Sequence, residues 1–487
     1  MKPAVLESVA SLAVAATAAI ATAGLPSSLR AQDARAQLLA HIDANRGVYE
    51  RMALEIWDLA EVGYLEVESS KLLQDRLRDA GFDVQAGVAG IPTAFVASWG
   101  TGGPVIGILA EFDALPGITQ DSVPFPQPIA SKAAGHACGH HLFGVASTAA
   151  ALAARDWLET SGTPGTIRLY GTPAEEGGSG KVYLVRAGLF DDVDVVLHWH
   201  AGDANTAAAG NSLANISAKF RFRGVSAHAA AAPHRGRSAL DGVEAMNHMA
   251  NLMREHVPQE TRIHYVITRG GAAPNVVPDF AEVYYYVRHP DGRVVHELFE
   301  RLKKTATAAA LGTETEVEHE IIGGVYALLP NEALAAAMHA NLERVGGVEY
   351  DARERGFAER IHESFPADAP SIDAAAMVQP LEYVRAGTGS TDVGDVSWAV
   401  PTAGLRTATW VPGTAAHSWQ AIAAGGTSIG LKGMMVAART LALTAADLFT
   451  TPVLVADARA EFERRRGTSF LYRPLVGDRE PPLDYRK

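Results

Sequence analysis

The sequence predicts an α/β protein whose main body is an open sheet with helices on both faces, interrupted by a smaller α+β insert. Three observations carry that expectation. Short apolar, strand-like runs alternate with helical periodicity from about residue 80 to 212, a β-α-β-β-α-β order occupies the next stretch, and helical patterns then resume. Composition agrees: of 487 residues 48% are hydrophobic and 20% charged, with 46 Gly and 25 Pro, a globular balance. Lys and Arg total 42 against 55 Asp and Glu, a formal net charge of −13, which disfavours a nucleic-acid binder. A single cysteine excludes an internal disulfide framework, Cys-x-x-Cys zinc knuckles and iron-sulfur cages.

At the N-terminus, Val9 to Ala23 is uncharged and apolar after Lys2, and Ala21-Thr22-Ala23 fits a small-x-small cleavage site, with a cut near Ala31 as another option. Residues 1–31 are therefore expected to be a signal peptide, sending the mature chain to the periplasm or outside. Glu7 and the lone Lys2 leave a cytoplasmic N-terminal helix as the alternative. No later stretch has ~18 uninterrupted apolar residues, so no membrane span is expected in the mature chain.

Residues 34–212 read as the first part of a main domain: helices to about Ala80, then strands at Thr93–Ser98 and Val105–Ala110. An Ala-rich helix at Gly144–Leu158, a strand at Thr166–Tyr170, a helix at Lys181–Gly188 and a strand at Val193–Leu197 follow. Residues 213–329 form the insert, with strands at Ile216–Arg223, Ile263–Ile267, Ala281–Val287 and Thr315–Ile322 and helices at Ser238–His256 and Arg293–Leu311. Residues 330–450 return to the main domain and end in a long helix, Ile429–Leu448; residues 451–487 read as a packed extension or a loose end.

Chemistry concentrates at predicted strand ends, where open α/β sheets collect their sites. Gly135-His136-Ala137-Cys138-Gly139-His140-His141 places the only cysteine among histidines in a loop, a pattern for a metal or a thiol nucleophile, or else a buried free cysteine. After a strand, Pro173-Ala174-Glu175-Glu176-Gly177-Gly178 offers two adjacent carboxylates, one able to bind a metal while its neighbour takes a proton; a solvated acidic turn is the plainer alternative. His198-Trp199-His200 ends another strand, His417 sits in a Gly/Pro loop, and Asp113 could orient an imidazole from behind.

Taken together and in order, Glu111-Phe112-Asp113-Ala114-Leu115-Pro116, Ala137-Cys138-Gly139-His140, Pro173-Ala174-Glu175-Glu176, His228-Ala229-Ala230 and Asn275-Val276-Val277-Pro278 resemble the M20 metallopeptidase family, amidohydrolase branch. Thr391-Asp392-Val393-Gly394-Asp395-Val396-Ser397-Trp398 and His417-Ser418-Trp419-Gln420 look like its aminobenzoyl-glutamate utilization group, and the likeness runs over roughly residues 34–478.

The resemblance implies a zinc-exopeptidase-like catalytic domain with a mixed sheet and a ferredoxin-like dimerisation insert. It implies two divalent metal ions, Zn2+ or Mn2+ with Co2+ or Ni2+ as further candidates, held by Cys138 as shared ligand and by His140, Glu176, His200 and His417. Glu175 becomes the general base, Asp113 the support behind a ligand, and His228 a residue reaching a partner subunit's site, hence a homodimer. Asn275 and Arg288 become contacts to a small acyl-amino acid substrate such as p-aminobenzoyl-glutamate. Two departures from the family pattern stand out: His141 replaces the usual Asp after Cys-Gly-His, and Ala201 follows His200 with His198 as a competing ligand. A Cys138 nucleophile or an exported solute-binding protein are the competing readings, though the first leaves Glu176, His200 and His417 unexplained and the second gives no reason for Glu175 beside Glu176.

Overall fold

A computed structural model gives the fold for residues 27–210, 212–383 and 389–486; residues 1–26, most of the expected export signal, lie outside the described residues. In chain order the strands are β1 (Asp83–Ala86), β2 (Phe95–Thr101), β3 (Val105–Ala110), β4 (Leu115–Pro116), β5 (Ala134–Gly135), β6 (Gly165–Gly171), β7 (Val195–Gly202), β8 (Ala214–Arg223), β9 (Arg262–Arg269), β10 (Phe280–His289), β11 (Glu316–Val325) and β12 (Thr402–Ala408).

The apolar run Val105-Ile106-Gly107-Ile108-Leu109-Ala110 becomes β3 near the middle of a six-stranded sheet ordered β1-β2-β6-β3-β7-β12. Consecutive residues of β3 and β7 are buried, so both sheet faces are covered, as continuous apolar strands require. β6, β3, β7 and β12 run parallel, while β2 and β1 add an antiparallel edge, which makes the sheet mixed. From β3 the chain pairs on one side with β6 and on the other with β7, so the strand order reverses at β3 and opens a crevice over its carboxyl end.

Helix His140–Ser161, longer at its start than the sequence pattern suggests, packs on β3, β6 and β7 and against Ser428–Thr450. The latter is, among the described residues, the one helix long and apolar enough to cross a membrane; 89% of its apolar window is buried inside the protein, the signature of a core helix. β12 and the helix Pro452–Arg466 are elements that the sequence pattern does not predict.

The second sheet, ordered β11-β8-β10-β9, is antiparallel throughout. Alternation dictates its faces: Ile216, Ala218, Phe220 and Phe222 of β8 and Ala281, Val283, Tyr285 and Val287 of β10 are buried, sharing one core with helices Ala239–Met253 and Gly292–Thr313. Asp291 caps the second helix by accepting from the Arg293 N–H. β9 lies at the sheet edge with Tyr265, Val266 and Ile267 exposed.

Trp199 anchors β7 beneath the strand's two histidines: its ring is fully buried beside Phe143, and its indole N–H donates to the Phe143 carbonyl at 3.1 Å. Trp199→Ala is expected to lower the unfolding free energy by about 3–5 kcal/mol through the cavity it opens. Urea denaturation checks this, and a loss below about 1 kcal/mol would show that the site collapses around the gap.

Candidate metal centre

The carboxyl ends of β3, β6, β7 and β12 meet at one edge of the sheet. β3 runs into Glu111 and Asp113, β6 into the Glu175-Glu176 turn, β7 carries His200 near its end, and β12 leads to the loop of His417. Cys138 comes from the turn before helix His140–Ser161, whose first residue is His140 itself rather than a loop residue. Gly139 makes that junction: its φ is 77°, and a Cβ there would stand 2.4 Å from the Ala201 methyl on β7. The His417 N–H donates to the Ala137 carbonyl at 3.0 Å, fastening the His417 loop next to Cys138.

Potential ligand atoms lie within 4.8 Å of one another in three groups: Cys138 with His140 and His200, Cys138 with Glu176 and His417, and His140 with Glu175 and Glu176. All six sequence-selected residues of this cluster are thus brought together. The Cys138 thiol is 3.5 Å from His200 Nε2, and His417 Nε2 is 3.2 Å from Glu176 Oε1. Asp113 works from behind, with Oδ1 accepting from His140 Nδ1 at 2.9 Å and Oδ2 accepting from the Glu176 N–H at 2.8 Å. Nδ1 of His140 is thereby committed, and Nε2 is the atom left to face the cluster.

Beneath these residues sits a buried ion network. Glu111 is 3.1 Å from His140 Nε2 and 2.7 Å from Lys181 Nζ, and Lys181 is 2.7 Å from Asp392 Oδ1. Neither Lys181 nor Glu111 was among the sequence-selected site residues; the available signal was a lysine inside the otherwise apolar stretch Lys181-Val182-Tyr183-Leu184-Val185.

The electrostatics follow from crowding. Burial, reinforced by Glu111 and Glu176, pushes the Glu175 carboxyl well above its ordinary value. Burial works against charging His140, but Glu111 and Asp113 overcome it and hold the imidazole well above its usual range. Hydrogen bonds to Cys138 and Glu176 raise His417 to about 10, on a side chain still 51% exposed. Burial pushes His200 well below its ordinary value, leaving it neutral.

The other histidines are accounted for differently. His141 turns away and donates from Nε2 to the Gly425 carbonyl at 3.1 Å, and burial drives it down to about 3. His198 lies across Gly404 of β12, also pushed down to about 3 by burial. His200, not His198, is the β7 histidine beside Cys138. His228, Asn275 and Arg288 all sit on the small-sheet unit, outside the three ligand groups. His228 Nδ1 accepts from the Ala230 and Ala231 N–H groups at 3.2 Å each, and the Asn275 carbonyl accepts from the Ala229 N–H, so the two exposed residues share one loop pair.

These donors suit divalent cations. Thiol, imidazole and carboxylate groups converge within 4.8 Å, and His140 Nε2 and Glu176 Oε1 are met by charged neighbours, Glu111 at 3.1 Å and His417 at 3.2 Å, a crowding of ligand atoms that a cation would relieve. Fold and site together define a metal-dependent hydrolase. The peptidase dimerisation domain of the M20 family matches residues 214–314. One of the p-aminobenzoyl-glutamate hydrolase subunits of Escherichia coli is 40% identical over 464 residues, covering 89% of this chain and 96% of the relative. The mouse Xaa-Arg dipeptidase is 31% identical over 424 residues, covering 84% and 87%. The chain therefore belongs to the M20 metallopeptidase family, in its amidohydrolase branch.

Solved structures share the fold. An aminobenzoyl-glutamate utilization protein from Klebsiella pneumoniae superimposes with a TM-score of 0.60 at 21% identity, over 84% of this chain and 98% of that one. A dinuclear metal-binding M20 peptidase from Bacillus subtilis gives 0.57 at 16% identity, over 84% and 99%.

Two outcomes follow from this geometry. Asp113→Asn breaks the support of His140 and of the Glu176 amide together, and metal affinity measured by chelator competition is expected to fall about 10–100-fold. A change under about twofold would show that His140 and the loop hold their positions unaided. Second, His417 at about 10 is protonated at neutral pH, and a ligand imidazole must be neutral, so metal uptake expels its proton. The apparent affinity should rise with pH from 7 towards 10, with about one proton or more released per chain in calorimetry across buffers of different ionisation enthalpy. With the folded value above the ordinary one, the pairing's own stabilisation of the metal-free protein is complete below about 6.5 and disappears as pH passes about 10.

Proposed function

We propose that this chain hydrolyses the amide bond of N-acyl or N-aroyl amino acids of the p-aminobenzoyl-glutamate type, with Glu175 as general base and two divalent ions, zinc or manganese, as cofactors. The observation that carries the reading is that Cys138 belongs to two ligand groups at once, with His140 and His200 on one side and Glu176 and His417 on the other. Cys138, His140, His200, Glu176 and His417 would hold the ions, which when bound would supply Lewis acidity towards a water molecule and the scissile carbonyl. Glu175, whose carboxyl is raised by burial and neighbouring carboxylates, is suited to accept the water's proton and return it to the leaving nitrogen. Asp113 keeps His140 and Glu176 in place while this happens. The named activities of the Escherichia coli and mouse relatives both concern an amide bond to an amino acid and support the substrate class.

The domain reading takes residues 34–212 and 330–450 as the catalytic unit, 213–329 as the dimerisation insert and 451–487 as an extension. His228, on an exposed loop with its Nδ1 occupied by two main-chain N–H groups, has an Nε2–H free to donate to a tetrahedral oxyanion in a second copy's site. Asn275 and Arg288 are the proposed substrate contacts; the Arg288 guanidinium lies over the Tyr286 ring at 5.1 Å, set to grip a carboxylate bidentately. Residues 1–31 are read as an export signal, so the substrate is met in the periplasm or outside the cell.

Elemental analysis and turnover decide the matter together. About two metals per chain are expected, lost in Cys138→Ala, while Glu175→Gln keeps its metal and loses about 10²–10⁴ in kcat on p-aminobenzoyl-glutamate. Turnover that survives chelators but not thiol alkylation would move the assignment to a Cys138 nucleophile. Acyl-amino acid bound and recovered intact would make this a binding protein. Mixing inactive His228→Ala and Glu175→Gln chains should regenerate activity if His228 serves a second copy, and no regeneration would confine each site to one chain.

A further inference from the structure

Unusual conformations mark the turn that carries Glu175 and Glu176: Ala174 has φ 59°, Gly177 94° and Ser179 58°. Ala and Ser do not choose this region unaided, so the turn has to be held from outside. Four of its main-chain groups are gripped by side chains from distant segments. Glu66 accepts from the Ala174 N–H at 2.8 Å, Asp113 accepts from the Glu176 N–H, and the Tyr64 hydroxyl donates to the Gly178 carbonyl at 2.7 Å. The fourth group, the Glu176 carbonyl, accepts from the Tyr485 hydroxyl at 3.1 Å and from the Arg486 guanidinium.

We infer that Tyr485 and Arg486 are positioning residues of the hydrolytic turn, fixing the peptide plane after Glu176 and so the aim of both carboxylates. The inference rests on the roles proposed above for Glu175 and Glu176. Three independent features show that the contact is built rather than incidental. The phenol of Tyr485 packs edge-on against Tyr64 with ring centres 5.6 Å apart, and the Arg486 guanidinium lies over the Tyr485 ring at 4.6 Å. Gly63 leaves room for the pair, since a Cβ there would come within 2.3 Å of the Tyr485 hydroxyl oxygen.

The approach of the segment is fastened along its length. Phe470 packs on Trp398 at 4.5 Å, and the Tyr472 hydroxyl donates to Asp395 at 2.7 Å. Arg479 donates to the Ile322 carbonyl of β11 at 3.1 Å and pairs with Glu320, while Arg186 donates to the Arg479 carbonyl at 2.6 Å. Residues 470–486 thus run from the catalytic body past the small sheet to the turn. An error of about 1 Å in a reacting group costs about 100-fold in rate, so this grip bears directly on turnover.

The test uses full-length chains carrying Arg486→Ala, Arg486→Lys or Tyr485→Phe, with the exposed Arg464→Ala as control. Readouts are zinc affinity by chelator competition, hydrogen exchange of the peptide spanning residues 173–180, and kcat and KM. For Arg486→Ala we expect faster exchange in that peptide, zinc affinity about tenfold weaker, and kcat about 10–100-fold lower with KM changed far less. Arg486→Lys should recover part of each, and added guanidinium ion part of the lost kcat in Arg486→Ala. Tyr485→Phe, which removes only a hydroxyl, carries the test if Arg486→Ala fails to fold. Exchange and zinc affinity at wild-type level in both Arg486→Ala and Tyr485→Phe would overturn the inference. A wild-type protein without turnover would defeat the proposed function instead, and exchange and zinc affinity would still decide this one.

Discussion

One buried carboxylate organises the centre. Asp113 joins three stretches of chain: it stands at the end of β3, its Oδ1 holds the imidazole that opens helix His140–Ser161, and its Oδ2 holds the amide of Glu176 in the turn after β6. Burial alone would favour its neutral form, but His140 and the Glu176 N–H overcome that and keep the carboxyl below its ordinary value. A second buried system lies beside it, where Glu111, Lys181 and Asp392 share charge at 2.7 Å separations. Such a network is costly when any member is missing and tolerable when all are present, so the strand ends are locked into one arrangement as a set.

How far the sequence alone reaches is clearest at Val105–Ala110. Its unbroken apolar run specified a strand covered on both faces, and the motif that follows it carries Glu111 and Asp113, which the fold sets against the His140 ring. The small unit was equally legible because β8 alternates apolar and polar residues and its helices start at Ser238 and Asp291, which cap them. Cys138, His140, Glu175, Glu176, His200 and His417 stand at strand ends or beside Gly-rich turns in the sequence, and the fold draws them into one cluster.

What stayed hidden depends on long-range partners. Lys181 looks like an exposed cation at a helix start, and only Asp392, 211 positions away, explains its burial. Glu66 reads as a helix-leading carboxylate; in the fold it is fully buried beside Thr93 and the Ala174 amide, and burial lifts it to about 8. His141 and His198 resembled ligands by residue type, yet one faces the Gly425 carbonyl and the other covers Gly404. Local spacing cannot tell which way a ring on a strand or helix will turn. β12 escaped notice because Ala, Gly, Thr and Arg dilute its apolar content, and its place beside β7 comes from parallel pairing rather than propensity.

The partners of the Glu176 carbonyl lie 309 and 310 positions further along the chain. Closing so long a loop has an entropic cost that local contacts do not offset, which places this contact among the late events of folding. The main core itself waits for helix Ser428–Thr450, which packs on helix His140–Ser161 and on β12, so Tyr485 and Arg486 follow it closely along the chain. The last two hydrogen bonds to the turn therefore close over a core that is already assembled, and readiness for chemistry comes no earlier than stability does.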